Sequence, residues 1–394
     1  MENTFDVLIV GGGVIGASAL YQLTTLGCRS VALIDRGDFA TGATARSSGI
    51  VRTHYSVPIN VEVARASLRM FEELPGLLDD PEAHSGLVKS GYLIVAPPGN
   101  ASDAVRESIA MQQRLGIQAS LIDQSEALER HPWLALDDVD AIGYEAEAGF
   151  ADPYLVTNAF ARAARRNGAT IQLNTMVTGF LKEGSRVSGV TTGKGAIHAA
   201  TTISAIGIWS QALAAWAGVD VPLHLNAHSV FTLAASKPYE SHLPILKDLA
   251  SPARLYMRPT SGNLLVGAGN DGYPVEDPDN PEIAVHMDSI IDEAAQAANR
   301  LPAFSEGHLV QSWSGIYDTT PDWNPVLGLV PGIDGLQVAF GFSGHGFKLS
   351  PMIGRMLAQS ALGLETDIPM RPYRITRFAE RELLVGRYGP GAVS

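Results

Sequence analysis

The sequence predicts an α/β dinucleotide-binding fold of the Rossmann-like kind, interrupted by an inserted α+β unit. Three observations carry this. Residues 5–10, FDVLIV, are an apolar, β-branched run suited to a buried strand, and Gly11-Gly12-Gly13-Val14-Ile15-Gly16 follows, fitting G-x-G-x-x-G. Near the other end the succession recurs: LQVAF at 336–340, then GFSGHGFK at 341–348, then a helical pattern over 351–362. From 221 to about 313 the pattern changes to strands around 229–234, 254–257 and 264–268 and a helix over 287–300.

Each part of the first motif has a physical task. Gly11 turns the chain sharply out of the strand, Gly13 admits a pyrophosphate to the backbone, and Gly16 lets the helix pack against the sheet. Val14 and Ile15 open the helix, whose N-terminal N–H groups and dipole favour phosphate. The helical pattern runs over 17–26 and stops at Gly27. A second strand at 30–34 ends in Asp35, where a carboxylate meets ribose hydroxyls. The loop that follows, 37–49, is GDFATGATARSSG, small and hydroxyl-rich, suited to phosphates and a flat ring.

The chain then gives a helix at 61–78, a strand at 90–96, a helix at 102–115 and a turn at His131-Pro132-Trp133. It returns to the first unit at 149–153, GFADP, with a helix at 154–167, a strand at 170–173 and β segments at 176–181, 187–190 and 196–198. TTISAI at 201–206 reads as another buried strand, closed by Gly207, with a helix at 209–217; 274–281 is a proline- and acid-rich loop. This divides the chain into a cofactor-binding unit of 1–86, 141–218 and 314–394 and a substrate unit of 87–140 and 219–313. Two glycine turns, each opening a helix, converge on one ligand. A two-ended cofactor such as FAD uses both, whereas a nicotinamide enzyme leaves the terminal turn without a role.

Composition sets bounds. At 394 residues the chain is long enough for two domains. With 46% hydrophobic and 18% charged residues it has an ordinary globular composition. A formal charge of −13 argues against nucleic acid and anionic membranes, so an anionic substrate needs a local basic site. The single Cys28 excludes a disulfide framework and a cysteine-rich metal site, and no metal is expected. Met1-Glu2-Asn3-Thr4 has no signal-peptide pattern and no apolar run spans a bilayer, so the expectation is a cytoplasmic enzyme.

Six segments together resemble the D-amino-acid oxidase superfamily (DAO family) of FAD-dependent amine oxidoreductases. They are GGGVIG with Asp35, ATARSSGIVRTHY, GFADPYL, SAIGIWS, SGIYDTTPDWNPVLG and GFSGHGFKLSP. The resemblance runs almost end to end and looks nearest to sarcosine oxidases, their heterotetrameric β subunit included, and to glycine- and proline-oxidising enzymes. It implies a dinucleotide-binding domain plus a substrate domain on a large mixed sheet, with the isoalloxazine between them. It implies Arg52 and Lys348 as carboxylate-binding residues, and Tyr256 and Tyr317 as pocket tyrosines. Gly344, Gly346 and Phe347 match the segment at the flavin's pyrimidine edge, where Lys348 also lies, and Val177 matches a residue at the adenine. Arg36, Ala43, Thr44, Ser47, Ser48, Gly207 and Gly315 complete the expected cofactor contacts, and His345 is a candidate for tuning the flavin. His54, His228 and Arg46 have no role assigned.

Three departures qualify the resemblance. Gly315 stands where monomeric sarcosine oxidases attach FAD through cysteine, and Ala151 and Asp152 stand where the heterotetrameric β subunit attaches FMN through histidine. FAD is therefore expected to bind noncovalently. Leu265 occupies the place of a lysine that helps activate oxygen.

The expected reaction takes a hydride equivalent from a C–H bond next to nitrogen to flavin N5, leaving an imine that water hydrolyses. Arginine grips a carboxylate at two points and lysine adds a point charge, so Arg52 and Lys348 would fix the substrate of a small amino or N-methyl amino acid. The electron acceptor is oxygen or another partner. A subunit of a heteromeric dehydrogenase and a flavin-bearing assembly protein without turnover are the alternatives, and a partner subunit or a homo-oligomer fits either.

Overall fold

The computed structural model describes residues 3–235, 243–279 and 286–389. Two large sheets organise the described residues, and one apolar cluster draws on both of them. In the first, five strands run parallel in the spatial order Thr170–Gln172, Val31–Ile34, Thr4–Val10, Gly195–Ser204 and Ile333–Phe340. Val31–Ile34 is apolar and buried throughout, Thr4–Val10 is buried along most of its length, and Gly195–Ser204 is buried over its carboxyl end, as a sheet covered on both faces there requires. Antiparallel strands Val177–Glu183, Arg186–Thr192 and Val326–Val330 complete it, giving eight strands among the described residues. Helices Val14–Thr25, Pro153–Arg166 and Gly346–Ala361 pack together against it.

Parallel strands present their carboxyl ends at one edge, where ligands of open α/β sheets bind. Here that edge collects Gly11, Asp35, Gly207 and Gly341. Motifs hundreds of residues apart in sequence thus meet at one place.

The second sheet is mixed and has nine strands among the described residues. Its order is Tyr273–Pro274, His224–Ala234, Asn263–Gly267, Tyr256–Thr260, Ile245–Asp248, Tyr92–Ala96, Ala141–Glu145 and Ala119–Ile122, with His308–Thr319 also paired to His224–Ala234. Ile245–Asp248 runs parallel to Tyr92–Ala96 and the other pairs are antiparallel. Ala141–Glu145 begins at the expected boundary at 141 and His308–Thr319 runs through the one at 314, and both belong to this sheet. A short ribbon, Ile50–Val51 with Gly149–Phe150, joins the loop after Asp35 to the GFADP segment.

Several local expectations are corrected. The helix expected at 351–362 begins at Gly346, not 351, with Pro351 inside it. The proline lacks an N–H for the Phe347 carbonyl, and the Ser350 hydroxyl donates there instead at 2.7 Å. The helix expected at 209–217 is a 3-10 turn at Gly207–Trp209 followed by Ala212–Ala217. The strands expected at 196–198 and 201–206 are one, Gly195–Ser204, and Ala205 and Ile206 lie beyond its end. Within the loop read at 274–281, Asn280 and Pro281 lie outside the described residues. No helix among the described residues is long and apolar enough to cross a membrane.

Candidate active site

A cavity of about 790 Å³ opens at the carboxyl edge of the parallel strands and continues between the two sheets. Gly11, Gly13, Val14, Ile15, Asp35 and Arg36 line one end. Ala43, Thr44, Ser47 and Ser48 follow, with Val177 and Gly207 near them. Gly315, Gly344, Gly346 and Phe347 line the other end. Of the expected cofactor contacts only Gly16 and Lys348 are off its wall. Gly16 acts at the packing level: a Cβ there would lie 1.9 Å from the Gly11 carbonyl oxygen, so only glycine lets the helix approach the strand.

The cavity fits an elongated dinucleotide. The Asp35 carboxylate accepts from the Gly12 N–H at 2.5 Å and the Gly37 N–H at 2.7 Å, which holds it at the wall. The helix opens at Gly13 with no side chain capping it from that position, leaving its N-terminus open to an anion. Thr44 Oγ1 accepts from the Val14 N–H at 3.2 Å and draws the hydroxyl-rich loop to the same place. Beyond Asp35, the Arg36 guanidinium lies 4.5 Å from the Trp209 ring and 2.6 Å from Asp279, and Trp209 Nε1 donates to Asp279 at 2.9 Å. Trp209 and Asp279 also line the cavity and were not expected there. Trp209 lies within the SAIGIWS motif, whereas Asp279 sits in a polar loop with no local signal.

Of the expected catalytic side chains Tyr317 lines the cavity, whereas Arg52, Tyr256, His345 and Lys348 lie off its wall. Tyr317 stacks on His228 with ring centroids 4.0 Å apart, and is hydrogen-bonded to Tyr256. Gly344 makes room: its φ is +79°, and a Cβ would lie 2.5 Å from the Tyr317 ring. Burial pushes both tyrosine hydroxyls up, so they stay protonated at neutral pH. His345 precedes helix Gly346–Ala361 and meets the Tyr55 ring edge-on at 5.5 Å. The Arg52 guanidinium lies over Tyr55 at 4.4 Å and near Tyr92 at 5.7 Å.

Lys348 lies in the first turn of Gly346–Ala361 and is buried. A cation there opposes the helix dipole. Burial and then the Arg52 charge hold its ammonium well below the ordinary lysine value, which places the two cations within electrostatic reach of each other. Beside Arg52, the Thr53 N–H and hydroxyl donate to Glu145 Oε1 at 2.9 and 2.7 Å. Burial raises the Glu145 carboxyl, while Thr53 and Arg52 favour its charged form. One carboxylate thus stands near the cations and is already engaged.

The unassigned residues take structural places. His54 bonds Tyr388 at 2.7 Å and Gln112 at 3.1 Å, and Arg46 Nη1 donates to the Ser314 carbonyl at 2.8 Å, tying the loop to the second sheet. His228 lines the cavity opposite Gly315. Asp152 accepts from the Tyr154 and Leu155 N–H groups at 2.8 and 3.0 Å, capping the helix that follows. Leu265 is buried, off the cavity wall, between Thr232 and Arg258 on neighbouring strands.

Fold and cavity define an α/β protein of the dinucleotide-binding kind, with residues of the second sheet completing the cavity wall. The sequence profile of the family described as FAD dependent oxidoreductase (DAO) matches residues 6–360, and the chain belongs to that family. The β subunit of sarcosine oxidase from an Arthrobacter species is 31% identical over 401 residues, spanning all of this chain and 95% of the relative. The crystal structure of L-proline dehydrogenase from P. horikoshii superposes with a TM-score of 0.88 at 26% identity, covering 97% of this chain and 100% of that one. Glycine oxidase from Geobacillus kaustophilus gives 0.80 at 27% identity over 95% and 99%. The protein is an FAD-dependent oxidoreductase of the amino-acid-oxidising kind.

Proposed function

We propose that the protein oxidises a small amino acid or N-alkyl amino acid at the carbon next to nitrogen, and that Arg52 and Lys348 hold the substrate carboxylate. Bound FAD supplies the two-electron acceptor. The observation that carries the reading is that Arg52 and Lys348, from opposite ends of the chain, are both buried and within electrostatic reach of each other, Arg52 lying over Tyr55, whose ring meets His345 at the start of the Lys348 helix. Burying like charges together is costly without an anion between them.

Arg52 presents a planar fork to the carboxylate, fixed by its stacking on Tyr55. Lys348 adds a point charge from the helix start. Tyr256 and Tyr317 wall the pocket and keep hydroxyl protons available for hydrogen bonds. Substrate binds with its amine neutral, so these residues need not take a proton from it during the oxidation; their work is to position and to exclude water. Gly315, Ala151 and Asp152 support noncovalent FAD. The near-complete match to a sarcosine oxidase β subunit favours a second reading, in which this chain works beside a partner subunit.

Anaerobic addition of small amino and N-methyl amino acids to the purified protein tests the reading. Bleaching of the flavin by at least one of them is expected, and no bleaching by any would contradict turnover by this chain. Sedimentation of the native assembly distinguishes the partner-subunit reading from a chain that acts alone.

A further inference from the structure

Lys247 is a third buried cation, off the cavity wall and within electrostatic reach of Arg52. It lies on Ile245–Asp248, in register with Ile94 on one side and Tyr256 on the other. Side chains alternate along a strand. Leu246 packs into the outer core with Leu93 and Val95, while Ile245 packs with Tyr92 and Ile94 on the face turned to the cofactor-binding unit. Lys247 shares that inner face. Tyr92 on the same face is the ring beside the Arg52 guanidinium.

The Lys247 ammonium donates to the Arg254 carbonyl. That is its one acceptor among the described residues, against three protons to place. No carboxylate lies within ion-pair distance of it among the described residues. The adjacent Asp248 is bound by Arg300 at 2.9 and 3.2 Å and by the Ala250 and Ser251 N–H groups. Space has been cleared for the lysine: a Cβ on Gly269 would lie 2.4 Å from Nζ. Burial, with Arg52 and Arg254 as like charges and Asp248 opposing, pushes the ammonium down to about 7.

Resting on the carboxylate-clamp reading, we propose that Lys247 receives a second carboxylate of the substrate. Arg52 and Lys348 hold the first from the cofactor-binding side, and Lys247 reaches in from the substrate sheet. A dianion with a neutral amine offsets the buried positive charge that one carboxylate leaves uncompensated. The favoured substrate class is an amino or imino dicarboxylate, such as an N-carboxymethyl amino acid, and Lys247 is its specificity-determining residue.

The test uses the FAD-loaded protein and two probes in which sulfur replaces the amine: thiodiacetate with two carboxylates and (methylthio)acetate with one. Each is titrated while the flavin absorbance is followed, which gives Kd without turnover. Wild type should bind thiodiacetate at least tenfold more tightly than (methylthio)acetate. Lys247→Met should reduce that ratio at least tenfold, and the ratio of kcat/KM for iminodiacetate over sarcosine should fall in parallel. Equal Kd values in wild type, a measurement independent of any variant, would overturn the proposal, as would a ratio unchanged in Lys247→Met. If wild type shows no preference yet Arg52→Ala weakens (methylthio)acetate, the clamp stands and only the Lys247 assignment fails. If neither probe perturbs the flavin, both fail.

Discussion

Arg377 and Asp322 form a two-point ion pair in the fully buried interior, with Arg377 Nε and Nη2 each 2.8 Å from an Asp322 oxygen. Arg377 Nη2 also donates to the Asn324 carbonyl at 2.7 Å. The pair fixes the segment that follows Tyr317, so the DTTPDWN stretch holds the end of the tyrosine's strand in place. Removing one partner of a buried pair leaves an uncompensated charge and costs about 3–5 kcal/mol. Arg377→Ala should lower unfolding stability by that order in a denaturant titration of the FAD-loaded protein. A change within about 0.5 kcal/mol, the range of an ordinary surface substitution, would remove the pair from the account.

FAD should leave the denatured protein intact. Gly315 offers no nucleophile at the cavity wall, Ala151 is buried, and Asp152 is engaged as a helix cap. Acid or heat should release all of the flavin into the supernatant. Fluorescence remaining on the chain in a denaturing gel would refute this.

Asp318 links the second sheet to the terminal glycine turn by accepting the Gly341 N–H at 2.7 Å. Burial pushes its carboxyl up to about 6, against the opposing bonds from the backbone at Gly341, Phe342 and Ser343. An acid with a raised folded pKa binds more protons folded than unfolded between the two values, so its contribution to stability falls as pH rises from about 4 to about 6 and is level above. Asp318→Asn should remove that portion of the pH dependence. Parallel stability curves for wild type and variant across this window would mean that Asp318 does not titrate as described.

Leu265 should make reduced enzyme slow to react with oxygen. Charge that develops on oxygen is stabilised by a nearby cation, and leucine supplies none. Stopped-flow reoxidation after anaerobic reduction is the measurement. Rapid reoxidation would contradict the expectation and direct attention to Arg258, the neighbour of Leu265 on the next strand, whose Nε donates to the Ser48 carbonyl at 2.5 Å.

The cofactor end was legible in the sequence because its signals are local. Each glycine turn directly follows its strand, so GGGVIG with Asp35 and GFSGHGFK could be read without the fold, and the structure places both on one cavity. The second sheet was less legible. ILKD at Ile245–Asp248 is short and half polar, and His308–Thr319 mixes polar and apolar residues because its burial changes along its length. Lys247 within such a stretch reads as a surface residue, and only pairing with Tyr92–Ala96 and Tyr256–Thr260 turns it inward. Asp279 was hidden for the same reason: its partners Arg36 and Trp209 are distant in sequence. Pro351 misplaced the start of helix Gly346–Ala361, since a proline normally marks a first turn and here Ser350 compensates for it.

The carboxylate clamp is the central claim, and one double comparison tests it most directly. Substrate acid and its neutral amide or ester are compared on wild type, Arg52→Ala and Lys348→Ala, with flavin content measured first. Charge-assisted hydrogen bonds contribute about 1.5–3 kcal/mol each, so each variant should lose roughly tenfold to a hundredfold in kcat/KM on the acid. Arg52→Lys should not restore full activity, because the planar fork is gone. On the neutral analogue the same variants should lose little. Equal losses on acid and neutral substrates would show that Arg52 and Lys348 support the fold or the cofactor, and would contradict the clamp.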